Sequence, residues 1–329
     1  MNKTFEKLTD AALLAALLAG LSVPAFAAGK SIYGDDNRVE FYEAPADQRE
    51  LADSVASLWK AADLQASGTA FKLKTRNFGQ AGRLCPGERF SEQPIGAFCG
   101  GALVGEDLVL TAGHCVKDDT CAGTKFVFGF KVPKAGKAAV TTIEGSEVYG
   151  CASVVKRYYD AENGPAPGPD YALVRLDRKV ANHKPLPVNR ASITRDTPLF
   201  VIGYPVGLPL KVAGGAKVRD ASRNGFFVAD LDTFGRNSGS PVFNASTNKI
   251  EGVLVRGADD FTYTPAGCAV MAVYDQNGGR GEDVTKVAEV TASIPLLAGE
   301  SAGGGYVAVD SSQLQRAELA LPQRQILFY

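Results

Sequence analysis

The sequence predicts an all-β fold, a barrel or a sandwich. Three observations carry this. From about Phe71 onward, short runs rich in Val, Phe, Leu and Tyr alternate with clusters of Gly, Pro, Asp and Asn. The runs are many, short and closely spaced, as in antiparallel sheets. The 329 residues include 36 glycines, so turn-formers are plentiful within an otherwise ordinary globular composition.

The strands expected from these runs fall near residues 108–111, 125–130, 171–174, 199–202, 226–228 and 252–255. Residues 244–248 read as a hairpin turn between two of them. Two helices are expected as well. In the first, Asp47 can act as a cap, and Leu51, Val55, Leu58 and Ala62 share a face that Trp59 extends. In the second, Val284, Val287, Thr291 and Ile294 share a face before Pro295 stops it.

The start of the chain reads as an export signal, residues 1–27. Lys3 and Lys7 precede an apolar stretch, residues 11–23, too short to span a bilayer. Pro24 breaks it, and Ala25-Phe26-Ala27 is an A-x-A cleavage pattern. Asp10 is the one residue out of character. Residues 28–74 are expected to be an N-terminal extension or propeptide with one helix. Residues 75–295 form the main domain, and residues 296–329 are a tail to which no role is assigned. No apolar run reaches the length of a membrane span. A net charge of −1 gives no reason to expect a nucleic acid or an anionic membrane as partner.

Export implies an oxidising compartment, outside the cell or in a periplasm, and six cysteines suit one: Cys85, Cys99, Cys115, Cys121, Cys151 and Cys268. Zinc is the rival reading. It is disfavoured because no C-x-x-C pair exists and only His114 and His183 carry imidazoles. His183 lies in a polar turn and is read as a solvated loop residue. The segment 275–283 places Asp275, Asn277, Gly279, Gly281 and Asp283 at alternating positions, as a calcium loop would. Lys286 stands where the twelfth-position glutamate is needed, so the segment is read as a polar turn. No metal and no organic cofactor are expected.

Three local patterns bear on chemistry. Thr111-Ala112-Gly113-His114-Cys115 closes a strand. Asp170-Tyr171-Ala172-Leu173 opens one. Asn237-Ser238-Gly239-Ser240-Pro241 forms a turn between two more. A serine hydroxyl needs an imidazole to take its proton. That imidazole needs an acceptor on its other nitrogen to fix tautomer and orientation. His114, Asp170 and Ser238 supply those groups.

These residues resemble the chymotrypsin-like serine proteases. Residues 99–115, opening Cys-Gly-Gly-Ala-Leu-Val and closing Thr-Ala-Gly-His-Cys, look like the family's histidine region. Residues 237–244, Asn-Ser-Gly-Ser-Pro-Val-Phe-Asn, look like the serine region of its bacterial branch, which includes glutamyl endopeptidases. The order His, Asp, Ser also agrees, and Asp35-Asp36-Asn37-Arg38 is similar to the start of glutamyl endopeptidases. The resemblance implies two antiparallel six-stranded β-barrels with the site between them. It implies a triad of His114, Asp170 and Ser238, and polypeptide substrates. It also implies a disulfide from Cys99 to Cys115, beside the histidine. Cys121 and Cys151 flank two expected strands and are paired on that ground, which leaves Cys85 with Cys268.

Two departures stand out. The family's oxyanion hole uses backbone N–H groups of the serine and of a glycine two residues earlier. Here those positions are Ser238 and Arg236. Asn237 replaces the aspartate that pairs with a new N-terminus in mammalian relatives, so that activation switch is not expected. For specificity, the resemblance puts Asp232 at the base of the pocket and Gly257 at its mouth, which implies Arg or Lys before the cut. Arg236 or Arg256 would be the partner of Asp232 if it is paired instead. Leu254 stands where glutamyl enzymes carry a histidine, against glutamate specificity. A non-catalytic or weakly active binding protein on the same fold is the alternative. An esterase is a second one, although the G-x-S-x-G elbow is absent.

Overall fold

The computed structural model describes residues 32–159 and 168–300. The expected signal peptide, with its cleavage site, and residues 301–329 of the expected tail lie outside the described residues.

Twelve strands build two barrels. The first takes β1 (Val55–Lys60), β2 (Cys99–Gly105), β3 (Leu108–Thr111), β4 (Thr124–Val127), β5 (Val148–Tyr159) and β6 (Asp170–Leu176). The second takes β7 (Pro198–Gly203), β8 (Lys211–Asp220), β9 (Phe226–Ala229), β10 (Pro241–Asn244), β11 (Ile250–Arg256) and β12 (Glu282–Lys286). The first barrel runs β1-β2-β3-β6-β5-β4 and closes β4 onto β1. The second runs β7-β8-β9-β12-β11-β10 and closes β10 onto β7. Every pairing is antiparallel, and the two barrels repeat one strand order. Full closure leaves neither barrel with an open edge. This is the chymotrypsin-like double barrel.

Apolar side chains fill each interior. Leu58, Val109, Phe126 and Leu173 belong to the core that includes the first barrel. Val201, Phe227, Val242, Leu254 and Val284 fill the second. Tyr204, just after β7, is fully buried and donates its hydroxyl to Val55 O at 2.7 Å, tying the second barrel to the first.

The first expected helix is corrected. The helix α1 (Ala46–Ala52) ends before Val55, and Val55, Leu58 and Trp59 lie on strand β1. Residues 55–59 are all buried, and such a short continuous apolar run fits a two-sided strand as well as a helix face. Ser57 is accommodated because its Oγ donates to Val127 O at 3.0 Å and accepts from Trp59 Nε1 at 2.9 Å. Strand β1 therefore places part of the segment assigned to an N-terminal extension inside the first barrel.

The second expected helix is also corrected. Val284 lies on β12, and the chain then makes two single 3₁₀ turns, Val287–Glu289 and Thr291–Ser293. Val284, Thr285, Val287, Val290 and Thr291 are β-branched, which weakens a helix and suits a strand.

The N-terminal segment belongs to the second barrel. Residues Arg38–Glu40 pair with β8, and Ile32–Tyr33 pair in parallel with Val273–Tyr274. Arg38 is buried over the Phe234 ring and bonds Asp36 through Nε and Nη2. Lys211 meets Glu40 at 3.0 Å, and burial lowers the lysine pKa to about 8.

The three disulfides join Cys99 to Cys115, Cys121 to Cys151 and Cys85 to Cys268, as the sequence led us to expect. No helix among the described residues is long and apolar enough to cross a membrane.

Candidate active site

The three expected site residues come from the two barrels. His114 follows β3, and Asp170 opens β6. Ser238 sits in the turn before β10. The Asp170 carboxylate lies 2.6 Å from His114 Nδ1 and accepts the His114 backbone N–H at 3.1 Å. Both its oxygens are thus spent on one residue, which fixes the ring's orientation. Gly113 makes this approach feasible, because a Cβ there would collide with Tyr158 O and crowd Tyr171 O and Asp170 Oδ1. Asp170 is 1% exposed, whereas the His114 side chain is 31% exposed and reaches the surface.

The serine turn is held against the histidine loop. Ser238 O accepts from Gly100 N at 2.8 Å, and Gly100 follows Cys99 of the Cys99–Cys115 bridge. Gly239 has φ 86° and lies where a Cβ would collide with Gly100 O and Thr111 Oγ1, so only glycine fits. Asn237 is buried, and its Oδ1 accepts from Tyr204 N at 2.6 Å and Ser240 Oγ at 2.9 Å. Among the described residues no hydrogen bond joins Ser238 Oγ to the His114 ring. Such bonds are often long before substrate arrives.

Arg236 is exposed and takes φ 67°, the left-handed region glycine adopts freely. For a side-chain-bearing residue this costs roughly 1–2 kcal/mol. The preceding Gly235 N–H is held by both oxygens of Asp260, at 2.9 and 2.8 Å.

A cavity of about 210 Å³ opens beside Ser238. Gly257 and Leu254 line it, as do Thr233, Ala258, Asp260, Arg256 and Glu282. Asp232 is not among its lining, which corrects the expectation that it forms the pocket base. Its carboxylate points to the N-terminal segment and accepts the N–H groups of Tyr33 and Asn37, each at 2.8 Å. Burial still pushes its pKa up to about 7 against those two donors. Neither arginine neutralises it through a hydrogen bond. Arg256 bonds Asp283 Oδ2 at 3.0 Å and Gly168 O at 2.8 Å, while Arg236 stays at the surface. Asp283, at the end of the calcium-like pattern, is bonded by Arg256 and Arg280.

His183 also departs from expectation. Its side chain is 7% exposed and stacks on Phe128 at 4.3 Å. Its Nε2 lies 2.5 Å from Glu147 Oε2, and Nδ1 is 3.4 Å from Asp53 Oδ2, an ion pair with poor hydrogen-bond geometry. The polar sequence around it gave no sign of this burial.

Sequence reasoning missed three residues. Thr285 bonds the backbone of Asp170. Arg157 donates Nε to Gly113 O at 2.7 Å. Glu282 lines the cavity as a buried acid. The available signal for the last was an acidic pair, Glu282-Asp283, leading a β-branched run.

Residues 99–253 match the family model of the trypsin-like peptidase domain. No curated protein matches the sequence. Among solved structures, the chain is similar to the Vibrio cholerae protease VesB, at 17% identity over 78% of this chain, with a TM-score of 0.47. It spans 66% of that protease's length. A Glu endopeptidase in complex with MPD aligns at 15% identity over 80% of this chain and 96% of its own, with a TM-score of 0.45. Human heparin binding protein aligns at 16% identity over 82% and 100%, with a TM-score of 0.46.

Proposed function

From a chain that carries a trypsin-like peptidase domain at residues 99–253 within a chymotrypsin-like double barrel, we propose a secreted serine endopeptidase. The carrying observation is the doubled contact of Asp170 with His114, at the ring Nδ1 and at the backbone N–H. With Nδ1–H bound to the carboxylate, Nε2 is left as the base.

Ser238 is the nucleophile. Its proton passes to His114 as Oγ attacks the peptide carbonyl. The tetrahedral oxyanion is taken by the backbone N–H groups of Ser238 and Arg236. His114 then gives the proton to the leaving amine, and an ester on Ser238 remains. Water, deprotonated by His114, attacks that ester, and His114 returns the proton to Ser238 Oγ as the acid product leaves. Asp170 keeps its charge throughout and stabilises the imidazolium. The substrates are polypeptides with a basic residue before the cut. The apolar start of the chain, its A-x-A pattern and three disulfides support export.

One observation favours a second reading. Arg236 occupies a left-handed position that glycine fills at no steric cost, so a binding protein with little or no turnover is the alternative. A fluorophosphonate probe separates the two. Labelling at Ser238, lost in Ser238→Ala and His114→Ala, supports the peptidase. Asp170→Asn should fold and lose about 10⁴-fold in kcat. An unlabelled wild type would establish the binding protein instead.

A further inference from the structure

We propose that Glu282, and not Asp232, selects the residue before the cut, by receiving the ammonium group of a lysine side chain. The proposal rests on the reading of Ser238 as nucleophile and names the substrate class of that site.

Glu282 opens β12 and is 2% exposed, yet it lines the cavity beside Ser238. Its hydrogen bonds leave one place open. Oε1 accepts from Tyr33 OH at 3.2 Å and Ala258 N at 3.2 Å, which uses both lone pairs. Among the described residues Oε2 accepts Thr233 Oγ1, at 2.6 Å, and no other hydrogen bond. A Cβ on Gly257 would collide with this same Oε2, so the oxygen lies against the wall that the glycine forms. A single remaining acceptor suits a compact ammonium. A guanidinium fork asks for two parallel acceptors and finds one.

The charges around the cavity point the same way. Asp260 adds a second carboxylate. Arg256, the one arginine of the lining, is bonded to Asp283 and Gly168 O. Burial pushes the Glu282 pKa up to about 8, outweighing its three hydrogen-bond donors and the nearby charge of Arg280. Its hydrogen-bond donors are two hydroxyls and one amide, so a substrate ammonium would be the first cation in direct contact with it, and none of the triad's steps uses this acid.

Tyr33 is the positioning residue for Glu282. Its ring stacks on Tyr274 at 5.1 Å and lies under the Arg219 guanidinium at 4.6 Å. Asp232 holds its backbone N–H. The N-terminal segment thereby helps shape the floor of the cavity.

The test compares matched peptides with Lys, Arg, Gln, Glu or Ala before the cut, in wild type, Glu282→Gln and Glu282→Asp. Wild type should prefer Lys, Arg should follow, and Glu should be worst. Glu282→Gln should reduce kcat/KM for Lys by roughly 10- to 100-fold and remove its advantage over Gln, while Glu282→Asp restores part of it. Near-ultraviolet circular dichroism checks that each variant is folded. Calorimetry with n-butylammonium reads the cavity without turnover, so a catalytically silent protein still tests the idea. Weak binding to wild type that disappears in Glu282→Gln supports it, whatever the fluorophosphonate result. Equal n-butylammonium binding in wild type and Glu282→Gln overturns it, as does a labelled enzyme that prefers Gln to Lys.

Discussion

The hydroxyl of Thr285 closes a two-way bond with the backbone of Asp170, accepting its N–H and donating to its carbonyl, each at 2.9 Å. Thr285 lies on β12 of the second barrel, and Asp170 opens β6 of the first. The aspartate that orients His114 is therefore anchored across the seam between barrels.

Thr285→Val keeps the shape and removes both bonds. The buried amide and carbonyl of Asp170 lose their partner, at a cost of about 1–3 kcal/mol. We expect kcat to fall at least ~10-fold through misorientation of the histidine, with KM nearly unchanged. Thr285→Ser should recover most of the loss. A drop in KM-type binding alone, with kcat intact, would count against a positioning role.

Arg236 already adopts the backbone that the position demands. Arg236→Gly should therefore change kcat by no more than a few-fold, while stability rises by a few tenths of a kcal/mol to about 1 kcal/mol as the left-handed strain is relieved. Thermal melts and kcat measured together check this. A gain of more than about 100-fold in kcat would mean that the arginine disables the oxyanion hole.

Asp232→Asn puts an amide NH₂ against one of the two backbone N–H donors of Tyr33 and Asn37. Loss of that bond should destabilise the protein by about 1–3 kcal/mol. Amide exchange at Tyr33 and Asn37 should accelerate, since the Asp232 carboxylate is the acceptor of both N–H groups. The preference for Lys over Gln should survive, although weakened through Tyr33. A preference that vanishes entirely in Asp232→Asn and persists in Glu282→Gln would reverse the assignment of the two acids.

His183 predicts a pH effect on stability. Its neighbours Asp53 and Glu147 hold its pKa above the usual 6.5, outweighing the opposing effect of burial beside Phe128. Asp53 is also bonded by Lys131 and its own pKa is held below the usual carboxylate range. A raised folded-state pKa means that the folded protein binds more protons. The stabilisation is complete below pH 6.5 and is lost as pH rises through the higher folded value. Tm should fall over that interval, and His183→Gln should flatten the fall. An identical Tm profile in the variant would show that other groups govern it.

How much of this was legible depended on how local each signal was. His114, Asp170 and Ser238 each sit in a short motif, and the structure brings the first two into direct contact. Of the cysteine pairs, Cys99–Cys115 followed from the family resemblance, Cys121–Cys151 from the strands the two residues flank, and Cys85–Cys268 by elimination, and all three are bridged. Strand β1 was misread because Val55, Leu58 and Ala62 satisfy helical spacing, while the burial of both faces of residues 55–59 depends on strands far along the chain. The pocket acid was misplaced for a similar reason. The resemblance put Asp232 at the pocket base, but its carboxylate turns towards Tyr33 and Asn37, 199 and 195 residues away. No local pattern records which way a buried carboxyl turns.

The bond between Tyr33 and Glu282 spans 249 residues. During synthesis the early partner emerges first and has nothing to dock on until β12 is made. Such a long loop closes slowly, and contacts of this separation form late on a folding route. The floor of the cavity is thus among the last parts of the molecule to assemble. A nascent or partly folded chain would then carry its histidine loop before it carries a finished pocket, and would be a poor enzyme towards its neighbours while it folds.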